Sequence, residues 1–149
     1  MVKGLRLRPA RAQDLKDILE IERVSFPSPW STVHFYAELY KDYAHLWVAE
    51  LDGKVVGYVC FWVIAGEAHL ANIAVHPSFR RKGVGSFLLK TVLRFLKRRQ
   101  VNRLLLEVRV SNKAARKFYE KFGFRKDGLR RSYYQDTGED AVLMSKELG

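Results

Sequence analysis

The sequence predicts an α+β protein built on one mixed, mostly antiparallel sheet of about seven strands. Three observations carry that expectation. Apolar residues recur at the helical period in some segments, while others are apolar or alternating and too brief for helices. Asp52-Gly53 stands between two apolar runs, the composition of a tight hairpin turn. The resulting order, β-α-α-β-β-β-α-β-α-β-β, sets consecutive strands beside one another, and strands joined by short turns pair antiparallel.

LRLRP, Leu5 to Pro9, alternates and forms the first strand. In RAQDLKDILEIERVSF, Leu15, Ile18, Leu19 and Glu22 fall at helical spacing, with acids in the first turns where they complement the helix dipole. PSPW ends that helix, and Ser31 is placed to cap a short second one through TVHFYAELY. HLWVAELDGKVVGYVCFWVI makes two strands across Asp52-Gly53, and EAHLANIAV, Glu67 to Val75, folds back on them around Ala65-Gly66. From Gly83 to about Arg99, Val84, Leu88, Val92, Phe95 and Leu96 keep the helical period. RLLLEVRV, Arg103 to Val110, is too short for a helix and too apolar for an edge, hence a central strand. NKAARKFYEKFGF is a helix stopped by Gly123, with Ala115, Phe118, Tyr119 and Phe122 on adjoining parts of one surface. FRKDGLRRSYY and DAVLMSKEL close the fold as a strand pair around QDTGE.

The 149 residues fit one domain, 1–149, with no repeat, low-complexity tract or linker to divide them. A chain of this length buries about two-thirds of its unfolded surface and needs no disulfide or metal to fold. One cysteine, Cys60, excludes an intrachain disulfide; it reads as a small buried strand residue in VVGYVCFWVI. The 4 histidines form no H-x-x-x-H pattern, so no metal site is expected. MVKGLRLRPARAQDL holds no uninterrupted apolar stretch; neither a secretion signal nor a membrane association is read, and a cytoplasmic protein is expected. Lys+Arg 27 against Asp+Glu 16 gives +11, which attracts nucleic acid, a phosphate-rich cofactor or a ribosomal particle, or simply keeps the protein soluble. The cations are spread along the chain without a recognition motif, which argues against a direct nucleic-acid function.

The most informative stretch is RRKGVG, Arg80 to Gly85, between a strand and a helix. Such a turn presents free backbone N–H groups and the positive end of a helix dipole, which suits phosphate. The third glycine of G-x-G-x-x-G is missing after Gly83 and Gly85, and no G-x-x-x-x-G-K motif is present. What stands is R-x-x-G-x-G, with Arg81 and Lys82 inside it; alone, it reads equally well as a basic helix cap that holds nothing.

NIAVHPSFRRKGVGSFLL, then LEVRVSNKAARKFYEKFGF, then RRSYYQDTGEDAVLM, resembles the GNAT acetyltransferases, and more narrowly the RimI-type N-terminal protein (ribosomal-protein alanine) acetyltransferases. The resemblance covers nearly the whole chain. It implies the GNAT fold, with helices on both faces of the sheet, and acetyl-CoA as co-substrate. By the same resemblance, Ile73, Ala74 and Val75 line the acetyl and pantetheine arm through their main chain. Arg81, Lys82, Gly83, Val84, Gly85 and Ser86 cradle the phosphates, and Asn112 contacts the cofactor near its pantetheine arm. Glu107 matches the general base and Tyr119 the general acid. SFPSPW and RRSYYQDTGED match the loops flanking the peptide groove, making Phe26, Pro27, Trp30, Tyr133 and Tyr134 the candidates for gripping the substrate. No acid lies between Ser25 and Thr32, where relatives of broader specificity carry one.

Read from the residues alone, several of these positions keep a second meaning. Glu107 also reads as an ion-pair partner of Arg109 on an exposed sheet face, Tyr119 as a core aromatic, and Phe26 and Trp30 as core plugs. The implied reaction is direct attack of an amine on the thioester, with no acyl-enzyme and a backbone N–H near Val75 polarising the carbonyl oxygen. A peptide α-amine is about 10–25 % neutral near neutral pH and a lysine about one part in a thousand, so a glutamate acting through water suffices for the former. The expected partner is therefore a protein N-terminus, ribosomal proteins included. The alternative is transfer to a small-molecule amine or a lysine side chain. Monomer and weak homodimer both stay open.

Overall fold

In the computed structural model, which describes residues 3–149, seven strands form one sheet in the order β1-β2-β3-β4-β5-β7-β6. They are β1 (Arg6–Pro9), β2 (Ala44–Leu51), β3 (Lys54–Ile64), β4 (Glu67–Val75), β5 (Arg103–Arg109), β6 (Arg125–Tyr134) and β7 (Glu139–Glu147). The helices are α1 (Leu15–Ser25), α2 (Thr32–Glu38), α3 (Val84–Arg98) and α4 (Lys113–Lys121). Each pairing is antiparallel except β4 with β5, a parallel pair whose crossover connection is α3.

Strand alternation sends side chains to two cores. Leu46, Val48, Tyr58 and Cys60 pack with Ile18, Ile21 and Phe35 of α1 and α2. Ala49, Val59, Phe61 and the β5 residues Leu104, Leu106 and Val108 pack with α3 and with Tyr119 of α4. Helices thus cover both faces. Gly57 matters here: a Cβ would lie 3.1 Å from the Ala74 carbonyl oxygen and 3.2 Å from Val84 and Leu88, so a bare backbone lets the start of α3 settle on the sheet. Edge strand β6 is mostly exposed and carries Arg125, Lys126, Arg130 and Arg131, charges that discourage edge-to-edge pairing.

The element boundaries depart from expectation where side chains intervene. α1 begins at Leu15 rather than Arg11 because Ala12–Asp14 form a 3-10 turn in which Asp14 binds the Arg11 N–H (2.7 Å) and the Arg8 guanidinium. α2 stops at Glu38, two residues short of Tyr40, where Glu38 turns inward to accept from the Trp62 indole (2.6 Å) and meets Lys41. Among the described residues no helix is long and apolar enough to cross a membrane.

The feature that makes the site is a parting of strands. β4 pairs with β5 only over Glu67–His69 against Arg103–Leu105. Ala71 is bulged out of its ladder with β3, since Cys60 pairs Asn72 and Phe61 pairs Leu70. A bulge bends its strand. Beyond it, Asn72–Val75 leave β5 and a cleft opens between the two.

Candidate functional site

Two cavities occupy the cleft. One, of about 680 Å³, is lined by Ile73, Ala74 and Val75 of β4, by Arg80, Arg81 and Gly83 to Ser86 of the turn into α3, and by Ala115, Phe118, Tyr119 and Lys121 of α4. Gly83 holds φ 84°, and Arg81, unusually for a side-chain residue, φ 62°. With glycine at the cap position and no side-chain cap, the first-turn amides of α3 are left to a ligand. The lining carries three cations and no carboxylate. These residues fit a polyphosphate. Along the β5-facing edge, Ile73–Val75 have no strand partner, so their main chain is available to an extended arm.

Two residues expected on this side lie differently. Lys82 turns its ammonium over the Phe79 ring, 5.5 Å from the centroid, and is not among the lining. Asn112 lines the other cavity, and its side-chain oxygen caps α4 by accepting from the Ala115 N–H (3.1 Å). Arg80 donates to the Val75 carbonyl and the Ser25 hydroxyl, both at 3.0 Å, and so ties the end of β4 to the end of α1.

The second cavity, of about 570 Å³, lies between the α1–α2 loop and the β6–β7 turn. Phe26, Pro27 and Trp30 come from the first loop, Tyr133 and Tyr134 from the end of β6, and Glu107 from β5. Its charged lining is three carboxylates, Glu22, Glu107 and Asp136, against one guanidinium, Arg109. The two loops touch: the Ser28 hydroxyl donates to Asp136 at 2.7 Å, and Arg109 grips the same carboxylate at 2.8 Å. Those bonds hold Asp136 down at about 2. Arg109 therefore does not pair with Glu107. It spans Asp136 and Glu139 and lies 4.1 Å from the Tyr134 ring centroid, while burial pushes Tyr134 up to about 12.

Glu107 meets His69 and Tyr133 instead. His69 Nε2 lies 2.7 and 2.9 Å from the two carboxylate oxygens, and the Tyr133 hydroxyl is 3.4 Å away. His69 also stacks on Trp62, with centroids 5.2 Å apart. A carboxylate can only accept, so Nε2 is the donor to Glu107, while Nδ1 is buried with no hydrogen-bond partner among the described residues. Tyr119 is 8 % exposed and lines both cavities, as do Ser25, Phe26, Ile73 and Ala115. Burial pushes the Tyr119 hydroxyl well above the usual range, so it holds its proton at any ordinary pH.

Phe26 and Trp30 both line the groove and pack against the α1–α2 core, so the two expectations for them meet. Sequence reading overlooked His69, the Ser28–Asp136 contact and Glu22. For His69 and Asp136 no local signal exists, because their partners lie on distant elements. For Glu22 there was one: an acid on the apolar stripe of α1.

Comparison with known proteins follows the same lines. The model of the acetyltransferase (GNAT) family matches residues 15–124. A relative from Bacillus subtilis (strain 168), whose name carries the words ribosomal protein bS18-alanine N-acetyltransferase, is 42% identical over 139 residues, 93% of this chain and 92% of its own. An N-alpha-acetyltransferase of Sulfurisphaera tokodaii is 37% identical over 160 residues, 98% of this chain and 95% of its own. The crystal structure of the ribosomal-protein-S18-alanine N-acetyltransferase from Escherichia coli superposes with a TM-score of 0.90 at 33% identity, covering 97% of this chain and 94% of that one.

Proposed function

Since this chain belongs to the acetyltransferase (GNAT) family, which uses acetyl-CoA, we propose that it transfers the acetyl group of acetyl-CoA to the free N-terminal amine of a protein, a ribosomal protein foremost. The observation that carries this is the division of charge. The charged residues lining one cavity are all cations, those lining the other are net anionic, and the two cavities share Tyr119. An anionic co-substrate suits the first, an ammonium the second. The named relatives support the choice of an N-terminal amine, and the reading carries with it a cytoplasmic location.

The phosphates of acetyl-CoA rest on the amides of Gly83 to Ser86, with Arg81 assisting, and its pantetheine arm runs along Ile73–Val75. The amine enters past Phe26, Pro27, Trp30, Tyr133 and Tyr134. Glu107, oriented by His69, takes a proton from the amine, whose nitrogen attacks the thioester carbon. As the carbon–sulfur bond breaks, Tyr119 gives its proton to the departing thiolate. Amide and free thiol are the products, with the proton taken at Glu107 balancing the one given at Tyr119. General acid–base groups of this kind contribute roughly 10²–10⁴-fold each.

The test is transfer from radiolabelled acetyl-CoA to an Ala-first peptide, the same peptide with a blocked N-terminus and an internal lysine, and spermidine. The free N-terminus is expected to be acetylated at least tenfold faster than the others. Preference for the blocked peptide or the polyamine overturns the N-terminal reading.

A further inference from the structure

Glu22 is 1 % exposed, yet it lines the peptide groove. Its carboxylate is held from three elements. Oε1 accepts from the Tyr58 hydroxyl of β3 and from the Asn72 amide of β4 (2.7 Å), and Oε2 accepts from the Trp30 main-chain N–H (2.9 Å). Among the described residues no cation pairs with it. Burial pushes its pKa up, and the three donors oppose that shift. The Trp30 N–H and the Asn72 amide can only donate here, so both carboxylate oxygens already accept a hydrogen bond, which favours the charged form. With no cation beside it among the described residues, Glu22 in that form is an uncompensated negative charge.

Its position gives that charge a consequence. Asn72 and Trp30, the two groove residues it binds, line the same cavity as Glu107. An amine directed at Glu107 carries its first side chain on the adjacent carbon. That side chain therefore lies within the cavity whose lining includes Glu22, Trp30 and Asn72.

We propose that Glu22 determines which first residues the groove accepts: it rejects peptides beginning with Asp or Glu and leaves neutral first residues unaffected. The inference rests on the N-terminal-amine reading and names the substrate class within it. Two like charges about 8 Å apart at an effective dielectric constant near 20 repel enough to change kcat/KM by roughly thirtyfold.

The test uses the full chain and isosteric peptide pairs, Asn-first against Asp-first and Gln-first against Glu-first. Wild type is expected to favour the neutral member by about tenfold or more. Glu22→Gln, checked for folding by its melting shift with acetyl-CoA, should cut that preference by about tenfold. Tyr58→Phe removes one donor, keeps the charge and should keep the preference. Equal rates on both members with wild type, an unchanged preference in Glu22→Gln, or loss of preference in Tyr58→Phe to the same degree overturns the proposal while leaving N-terminal acetylation standing. If Glu22→Gln does not fold, equal wild-type rates on the two members of a pair still overturn the proposal. Failure of wild type to acetylate any peptide α-amine overturns both readings.

Discussion

One N–H of His69 is shared by both oxygens of Glu107, at 2.7 and 2.9 Å. The pairing arises because β4 and β5 are in register only over Glu67–His69, so the last paired residue of β4 sits beside the first same-face residue of β5 past the pairing. His69 is a positioning residue: the carboxylate can only accept, so Nε2 is the donor that points at it. Glu107→Gln should lower kcat by roughly 10²–10⁴ and leave acetyl-CoA binding unchanged. His69→Ala should lower kcat by roughly tenfold, the scale of a hydrogen bond to a charged group, and His69→Gln, which keeps an N–H donor, should recover part of it. Wild-type turnover in Glu107→Gln across pH 6 to 9 removes this residue from the mechanism.

Tyr119 should behave as a proton donor that never titrates in the working range. Its raised pKa keeps it protonated from pH 6 to 9, so Tyr119→Phe is expected to lower kcat by roughly 10²–10⁴ without changing the shape of the pH–rate profile. A limb of the profile that vanishes in the variant would show that Tyr119 titrates there.

The glycine turn should govern cofactor binding. A ligand that binds only the folded protein at a hundred times its Kd adds about 2.7 kcal/mol, so acetyl-CoA should raise Tm by several degrees. Gly83→Glu forces a side chain into a left-handed position and sets a carboxylate against the phosphates, so the shift should disappear. A normal shift in this variant moves the phosphates elsewhere.

Alkaline pH should unfold the protein through its buried tyrosines. Burial raises Tyr58 and Tyr119, with Glu22 adding to the first. A group raised in the folded state contributes stability that is complete below its unfolded pKa, about 10, and lost above it. The urea midpoint should be level up to about pH 8, begin to fall as the unfolded Cys60 thiol, likewise raised by burial in the fold, ionises, and fall more steeply above about pH 10, each such group costing about 1.4 kcal/mol per pH unit. Tyr119→Phe should make the fall shallower by one proton. A midpoint level to pH 11 would contradict the burial of these hydroxyls.

Much was legible in the sequence because it is local. Asp52-Gly53 makes its hairpin with two residues, and Gly83 sets the cap of α3 by its own dihedral angles. Glu107 standing between apolar Leu106 and Val108 already marks the acid as lying on the face of β5 away from those two. The resemblance to an acetyltransferase rests on such stretches, and the family match bears it out.

Tertiary structure decided which charged groups meet. Glu107 and Arg109 share a face two residues apart, yet Arg109 binds Asp136 and Glu139 while Glu107 binds His69. Order in the sheet sets this: β5 lies between β4 and β7, so one flank of the strand offers a histidine and the other offers the acids of the β6–β7 turn. Glu22 likewise acquires its role only when α1, the Trp30 loop, β3 and β4 converge on it. A periodicity records which face of an element is apolar. It carries no information about which polar group from fifty residues away will satisfy a buried charge, because that depends on how the faces stack.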